Sequence, residues 1–325
     1  MKFLIIRFSS IGDIVLTTPV IRCLKTQVAN AEVHYLSKET YEQILKSNPY
    51  IDKIHFFKDD IREILPALKK EGFDVVIDLH HNLRSWRVKR YLKIKSYSFN
   101  KLNVSKFLLV NFKINRLPKK HIVERYLDTL LSFNVRNDNS GLDYFLDEAD
   151  RLTADNFPAE FQAGFNALVL GGSYFTKRIP KFQLEKICEK SDLPIVLLGG
   201  KDEFETGKML EQKFEGKVFN GCGNFSLNQS ASVLQQSQRV FTSDTGMMHI
   251  AAAFKKDVFS FWGNTLPDFG MAPYMPGPNS RILEVKGLHC RPCSKLGFKS
   301  SPKKHFRCMR DIVLDEDVFL QSNKN

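Results

Sequence analysis

Short apolar, β-branched segments alternate with helical patterns along most of the chain, and this alternation restricts the fold more than any other feature. In the first half, the strand-type segments lie at residues 3–8, 32–36, 53–57 and 74–79. After a polar stretch at residues 147–164, they resume at 166–170, 194–198, 239–242 and 258–262. Helical patterns separate them, the first three at residues 14–27, 39–46 and 61–70. Such alternation is typical of parallel sheets with crossover helices, and 325 residues suffice for two domains of this kind.

Composition excludes several classes of protein. With 43% hydrophobic residues the chain is neither disordered nor collagen-like. Its longest apolar runs are of strand length, well below the roughly 18–20 residues of a membrane span. Arg7 ends the N-terminal apolar run before a signal-peptide core could form, and six cysteines are too few for a disulfide scaffold. We therefore expect a cytoplasmic protein.

The net charge of +12 is concentrated in two basic stretches. Residues 82–123 hold twelve Lys and Arg residues and no Asp or Glu, and residues 285–310 hold eight and none. The rest of the chain is net acidic. Localised positive charge indicates an anionic partner such as a phosphate, an acidic sugar, nucleic acid or a membrane surface. A solvated basic surface is the alternative.

The loop at residues 9–13 follows the first strand and opens the first helix. A dinucleotide-binding Gly-x-Gly-x-x-Gly pattern would lie here, and its absence argues against a Rossmann dehydrogenase. Asp13 stands there instead. It either caps the helix or projects from the carboxyl end of a strand as a general base.

Three later loops also follow strands and carry polar groups. Asp244-Thr245-Gly246 precedes an apolar helix, and the N–H groups at such a helix start suit a diphosphate. Thr245 as a cap and His249 as a core histidine are the alternatives here. Residues 171–178 combine a glycine pair, hydroxyls and two cations suited to phosphate. Residues 199–203 offer acids for ribose hydroxyls.

Taken together, these loops resemble glycosyltransferase family 9, the lipopolysaccharide heptosyltransferases. The matching segments are Phe-Ser-Ser-Ile-Gly-Asp-Ile-Val-Leu-Thr-Thr-Pro at residues 8–19, and residues 78–85, 176–180, 199–203 and 243–249. The resemblance implies an α/β GT-B fold, in which two Rossmann-like domains with parallel sheets face each other across a cleft. We place an acceptor-binding domain at residues 1–155 and a nucleotide-sugar-binding domain at 156–310. Residues 311–325 would cross back to the N-terminal domain.

The resemblance also implies an inverting, metal-independent sugar transfer that requires no cofactor. Asp13 falls on the catalytic base of the family, Lys177 on its diphosphate-binding lysine and Glu203 on its ribose-binding acid. The candidate donor-binding residues are Ser173, Thr176, Lys177, Glu203, Asp244, Thr245, Gly246 and His249. The candidate acceptor-binding residues are Gly12, His81 and Arg84, the last because a guanidinium binds a carboxylate bidentately.

A cysteine-rich segment near the C-terminus has metal-ligand spacing. Cys290-x-x-Cys293 and His305-x-x-Cys308 could hold a structural zinc ion. Free thiols, or a disulfide formed during purification, are the alternatives.

We therefore expect a glycosyltransferase that moves a sugar, heptose from ADP-heptose, onto an anionic lipopolysaccharide core acceptor. It would be cytoplasmic and peripheral to the inner membrane. The alternatives are a GT-B sugar-nucleotide epimerase and a nucleic-acid-binding protein that uses the basic stretches. No recognised nucleic-acid-binding motif supports the second of these. The donor base, the acceptor hydroxyl and the oligomeric state stay open at this stage.

Overall fold

The computed structural model describes residues 1–319, and its chain divides into two compact units. The first comprises residues 1–102 and 120–145, and the second comprises 103–119 and the residues from 146 onward. Each is described by itself below.

The first unit is a parallel α/β sheet. Within the described residues its strands are β1 (Lys2–Ile6), β2 (Glu32–Lys38), β3 (Lys53–Phe57), β4 (Val75–Asp78) and β5 (Lys95–Ser98), in the order β3-β2-β1-β4-β5. Its helices are α1 (Ile11–Val15), α2 (Thr18–Gln27), α3 (Glu42–Leu45), α4 (Leu65–Lys70), α5 (Leu83–Leu92) and α7 (Ile122–Leu127). Apolar residues of β1, β2 and β4, among them Leu4, Leu36 and Val76, are fully buried in one core.

The predicted helix at residues 14–27 is two helices. α1 ends at Val15 and α2 begins at Thr18, with Pro19 in its first turn. Thr17 Oγ1 donates to Ile14 O at 2.6 Å and so satisfies a carbonyl at the end of α1. Because proline has no N–H, it interrupts a continuous helix but fits the first turn of a new one.

The second unit holds a six-stranded parallel sheet among its described residues. The strands are β6 (Asn166–Val169), β7 (Ile195–Leu198), β8 (Val218–Asn220), β9 (Arg239–Ser243), β10 (Asp257–Trp262) and β11 (Arg281–Glu284), in the order β11-β10-β9-β6-β7-β8. The helices are α6 (Asn103–Phe112), α8 (Lys181–Lys190), α9 (Phe204–Lys213), α10 (Leu227–Gln236), α11 (Gly246–Ala253) and α12 (Arg307–Arg310). Since the strands of each sheet run parallel, their carboxyl ends gather the loops on one edge of each unit.

The second unit begins earlier than the predicted boundary at 155/156. Asn228 Nδ2 on α10 donates to Asp150 Oδ2 at 2.8 Å, and Leu152 N donates to Ser232 Oγ at 2.9 Å. These bonds fasten the start of the polar stretch at residues 147–164 to α10. Residues 103–119 also belong to this unit rather than to the first.

The C-terminal segment requires a second correction. Ile312, Leu314 and Val318 are buried in the core of the second unit, and Arg239 donates to Phe319 O at 2.5 Å. The described part of the segment predicted to cross back therefore packs on the second unit, because its apolar side chains fill that core. Residues 320–325 lie outside the described residues.

Among residues 1–319, the helices are all too short or too polar to cross a bilayer.

Candidate active site

Asp13 lies in the first turn of α1, directly beyond the carboxyl end of β1. Its Oδ1 forms a 2.8 Å ion pair with the Arg7 guanidinium, and its Oδ2 accepts from Ser10 Oγ at 2.9 Å. A longer bond of 3.4 Å from Ser10 N gives Asp13 the contact of a capping box. The capping and catalytic interpretations are therefore compatible, and the carboxylate stays partly exposed. Gly12, beside it, is buried.

The Arg7 side chain holds the loop at residues 9–13 in place. It is buried, and its guanidinium donates to Leu79 O at 2.7 Å, to the Tyr126 hydroxyl at 3.0 Å and to Ser9 O at 2.7 Å. Burial acts to lower the pKa of Arg7, but the charge of Asp13 and the neighbouring tyrosines outweigh it and raise that pKa. A permanent positive charge thus holds the Asp13 carboxylate in one orientation.

The loop after β4 lies near Asp13. Fully buried Asp78 accepts the N–H groups of His80 and His81 at 3.1 and 2.6 Å, and its Oδ2 pairs with Lys89 at 2.8 Å. The His80 ring packs 4.7 Å from the Phe8 ring, and the Arg84 guanidinium lies 5.3 Å over the same ring.

His80 and His81 of this loop differ in their surroundings. Burial, together with Arg7, Lys101 and Arg84, lowers the pKa of His80 to about 3, so its imidazole is neutral at pH 7. His81 is exposed, and its Nδ1 lies 2.9 Å from Phe99 O. Within the first unit, the structure thus brings Arg84 and His80 to the edge that carries Asp13.

In the second unit, Lys177 and Asp244 form a close ion pair. Lys177 Nζ lies 2.6 Å from Asp244 Oδ2, with both side chains partly exposed, and Thr265 Oγ1 donates to the same oxygen at 3.0 Å. These residues come from the loops after β6, β9 and β10. The ion pair joins two predicted donor residues, and Thr265 joins them from the loop after β10.

At the start of α11, the Thr245 side chain does not cap the helix. Thr245 precedes the helix without a side-chain cap bond, and its hydroxyl lies 3.2 Å from Thr242 Oγ1. His249 is buried on α11, as the core alternative required. The first N–H groups of a helix have no partners within it, so those at Gly246 remain available to an anion.

Glu203 lies against the glycine pairs that end β6 and β7. Its Oε2 accepts from Gly200 N at 3.0 Å, and its Oε1 lies 3.4 Å from Arg178. A Cβ on Gly199 would come within 2.8 Å of Glu203 Cβ, so only glycine lets this strand end approach the Glu203 side chain.

The two other predicted donor residues have different places. Ser173 is exposed in the loop after β6. Thr176 is buried, and its Oγ1 accepts from Phe298 N at 2.8 Å and donates to Phe298 O at 3.3 Å. The prediction that the Thr176 hydroxyl contacts a donor does not fit this place, because the hydroxyl already ties two loops together.

The chain matches the family described as glycosyltransferase family 9 (heptosyltransferase) over residues 61–303, which is more than half its length. The chain belongs to glycosyltransferase family 9. The predicted family and the predicted enzyme class, a glycosyltransferase, are thereby confirmed.

Individual relatives agree with this family 9 membership. The lipopolysaccharide heptosyltransferase 1 of Campylobacter coli is 25% identical over 302 residues, which cover 82% of this chain and 84% of that protein. The solved Escherichia coli ADP-heptose lps heptosyltransferase II matches with a TM-score of 0.71 at 17% identity, covering 96% of this chain and 98% of the other. The E. coli heptosyltransferase WaaC with ADP-2-deoxy-2-fluoro heptose matches with a TM-score of 0.68 at 20% identity, covering 88% and 94%. These structural likenesses confirm the GT-B fold class.

In this family 9 chain, Arg291 of the second basic stretch is buried and binds backbone carbonyls of neighbouring loops, a structural role that we did not predict. Its guanidinium donates to Gly263 O, Thr265 O and Val285 O and pairs with Glu284 at 2.8 Å. It therefore holds the loop that presents Thr265 to Asp244. A cation directly before Pro292 in a cysteine-rich segment gave no sign of this role.

The cysteine cluster contains free thiols. Cys290 Sγ lies 3.8 Å from His305 Nε2, and Cys293 Sγ donates to Cys290 O at 2.9 Å. Burial and the neighbouring thiols raise the pKa of Cys293, and they raise that of Cys308 to about 11. Among the described residues, the set of three ligand atoms within 4.8 Å of one another lies elsewhere, at His34, His55 and Glu71. Zinc at the cysteine cluster therefore stays a prediction.

Proposed function

We propose that this family 9 glycosyltransferase transfers heptose from ADP-heptose onto an anionic lipopolysaccharide core acceptor, with inversion at the anomeric carbon. The observation that carries the proposal is the Lys177–Asp244 pair beside the start of α11, which places a lysine next to the first N–H groups of a helix, a combination suited to a diphosphate. The names of the curated relatives and the ADP-heptose analogue named with E. coli WaaC support the choice of sugar and base.

Asp13 is the proposed general base. Its carboxylate takes the proton of the acceptor hydroxyl while that oxygen forms a bond to the anomeric carbon. The bond from the anomeric carbon to the diphosphate oxygen breaks on the opposite face, and ADP leaves with that electron pair. Arg7 and Ser10 keep the carboxylate oriented for this step.

The second unit holds the donor and the leaving group in this proposal. Negative charge develops on the diphosphate in the transition state, and Lys177 with the N–H groups of α11 stabilises it. Glu203 accepts hydrogen bonds from the ribose hydroxyls. Since Glu203 is held by Gly200 N and Arg178, its carboxylate is oriented before the ligand arrives.

Acidic groups of the acceptor are bound by the first basic stretch. Arg84 is the proposed contact, since its guanidinium lies over Phe8 on the edge that carries Asp13. Lys89 of the same stretch is already paired with buried Asp78 and serves to hold the loop instead.

A thermal-shift series tests the donor. We expect ADP and ADP-heptose to raise the melting temperature more than UDP, GDP or their sugars, since a ligand at one hundred times its Kd stabilises the native state by about 2.7 kcal/mol. Transfer is then measured by mass spectrometry of the lipopolysaccharide core acceptor.

Two results would contradict the proposal. If no nucleotide moves the melting temperature, the donor site is wrong. If ADP-heptose incubated without acceptor yields a new sugar nucleotide, the protein is an epimerase.

We further propose that α6 docks the enzyme on the cytoplasmic face of the anionic inner membrane. Its apolar side chains Val104, Phe107 and Phe112 are 73%, 58% and 61% exposed, and the rings of the two phenylalanines lie 5.9 Å apart. Arg116 and Lys119 are exposed just beyond the helix, in a stretch free of acids. Exposed aromatic rings beside cations are typical of surfaces that bind the interface of anionic bilayers.

Vesicle co-sedimentation tests this surface. We expect binding to phosphatidylglycerol-containing vesicles, weakened by high salt, and at least about tenfold weaker partitioning for Phe107→Ser with Phe112→Ser, given about 1.5–3 kcal/mol per buried Phe. Val313→Ser, which alters an equally exposed apolar side chain of the same unit, is the matched control. Equal binding by the double variant and this control would remove α6 from the membrane role.

A further inference from the structure

Two histidines on neighbouring strands and a glutamate at the end of a helix meet in the first unit, away from the residues of the proposed transfer reaction. His34 lies on β2 and His55 on β3, and the strand register pairs His55 with Leu36. Since side chains alternate between the faces of a strand, His34 and His55 share one face. Glu71, directly after α4, completes the group.

The ligand atoms of this group are close together. His34 Nδ1 lies 2.9 Å from His55 Nε2 and 4.0 Å from Glu71 Oε2, and one nitrogen or oxygen from each residue falls within 4.8 Å of the others. His34 and His55 are 1% and 6% exposed, whereas Glu71 reaches the surface. The group is thus largely enclosed and opens to solvent at its carboxylate.

Glu32 fixes the tautomer of His34. His34 Nε2 lies 2.8 Å from Glu32 Oε1, so this nitrogen carries the hydrogen and Nδ1 presents a lone pair. A carboxylate that holds the far nitrogen of an imidazole is the usual outer partner of a metal-bound histidine.

We propose that His34, His55 and Glu71 form a binding site for a zinc-type divalent cation, with Glu32 as the outer carboxylate. Two imidazole nitrogens and one carboxylate oxygen form a ligand set that Zn²⁺ favours, and the fourth position goes to water. The inference is independent of the proposed transfer reaction.

Binding requires two rearrangements. In the metal-free protein His55 Nε2–H donates to His34 Nδ1, so this hydrogen must move to His55 Nδ1, a tautomer change that releases no net proton. Lys53 pairs with Glu71 Oε1 at 2.5 Å and Lys2 lies 3.6 Å from its Oε2. The cation must therefore displace Lys2 from Oε2, while Lys53 can keep the other oxygen.

Zn²⁺ titration of the full chain tests the site, with bound metal counted by elemental analysis after dialysis. Cys290→Ser with Cys293→Ser serves as the background, so that the cysteine cluster does not contribute. We expect one tightly bound equivalent. Because a lost outer-shell partner costs about 10–100-fold in metal affinity, we expect Glu32→Gln to weaken binding by that factor and Glu71→Gln by at least as much.

Glu160→Gln, at an exposed glutamate of the second unit, is the control and should leave the affinity unchanged. Co²⁺ is the second probe, and a spectrum without a thiolate charge-transfer band is expected. Both glutamates of the site reach solvent, so their variants report even where His55→Gln fails to fold. Absence of a bound equivalent, or equal affinity in Glu71→Gln and Glu160→Gln, would overturn the site.

Discussion

Asp13→Asn should reduce kcat for sugar transfer by about 10²–10⁴-fold, the contribution of a general base, while the protein still binds ADP. Asparagine has nearly the shape of aspartate and keeps one carbonyl oxygen, for either Arg7 or Ser10, but it cannot take a proton from the acceptor hydroxyl. Steady-state transfer at saturating substrates measures the loss, and the thermal shift with ADP reports the intact second unit.

Asp59→Asn is the matched control, because Asp59 is an exposed aspartate of the same unit beyond β3. It should leave kcat unchanged. Turnover of Asp13→Asn near the wild-type rate would show that another group accepts the proton. A loss accompanied by a much lower melting temperature would instead point to the capping contact with Ser10.

The second large effect is expected for Lys177→Met, which should lower kcat by about 10²–10³-fold. Methionine nearly matches the length of lysine but cannot neutralise the charge that develops on the departing diphosphate. Asp244 also loses its 2.6 Å partner and keeps Thr265, which adds an unneutralised carboxylate near the phosphates. Lys177→Arg restores the charge and should recover part of the rate.

Lys190→Met, at an exposed lysine at the end of α8, controls for the loss of one positive charge. The division between kinetic parameters decides the role of Lys177. A fall in kcat indicates an interaction made in the transition state, whereas a rise in KM at constant kcat indicates uniform donor binding. The second pattern would remove Lys177 from leaving-group stabilisation.

Much of the fold was predictable because parallel sheets leave a strong pattern of apolar strands. Every strand predicted from the apolar segments coincides with a strand of the structure. The strands without a prediction, β5, β8 and β11, are short edge strands. β5 reads Lys-Ser-Tyr-Ser and is largely exposed, so it has no apolar pattern to recognise.

In the candidate site, only residues in the loops that follow strands were predictable from the sequence. The rule that loops gather at the carboxyl ends of strands singled out Asp13, Lys177 and Asp244. It could not show that Arg7 holds Asp13, because a buried arginine at the end of an apolar strand has no sequence signal. Nor could it show that Arg291 holds the loop of Thr265, because that contact joins residues remote in sequence. For the same reason the His34–His55–Glu71 group has no sequence motif.

The placement of α6 has a consequence for how the protein is made and divided. The chain leaves the first unit after residue 102, returns at 120 and leaves again after 145. During synthesis α6 is therefore complete before any strand of the sheet in its own unit exists. Leu109, which is buried in the folded protein, stays exposed until the residues that pack on it have been made. A single cut after residue 145 would release a fragment that still carries this helix, so the first unit can be isolated only by removing residues 103–119 as well.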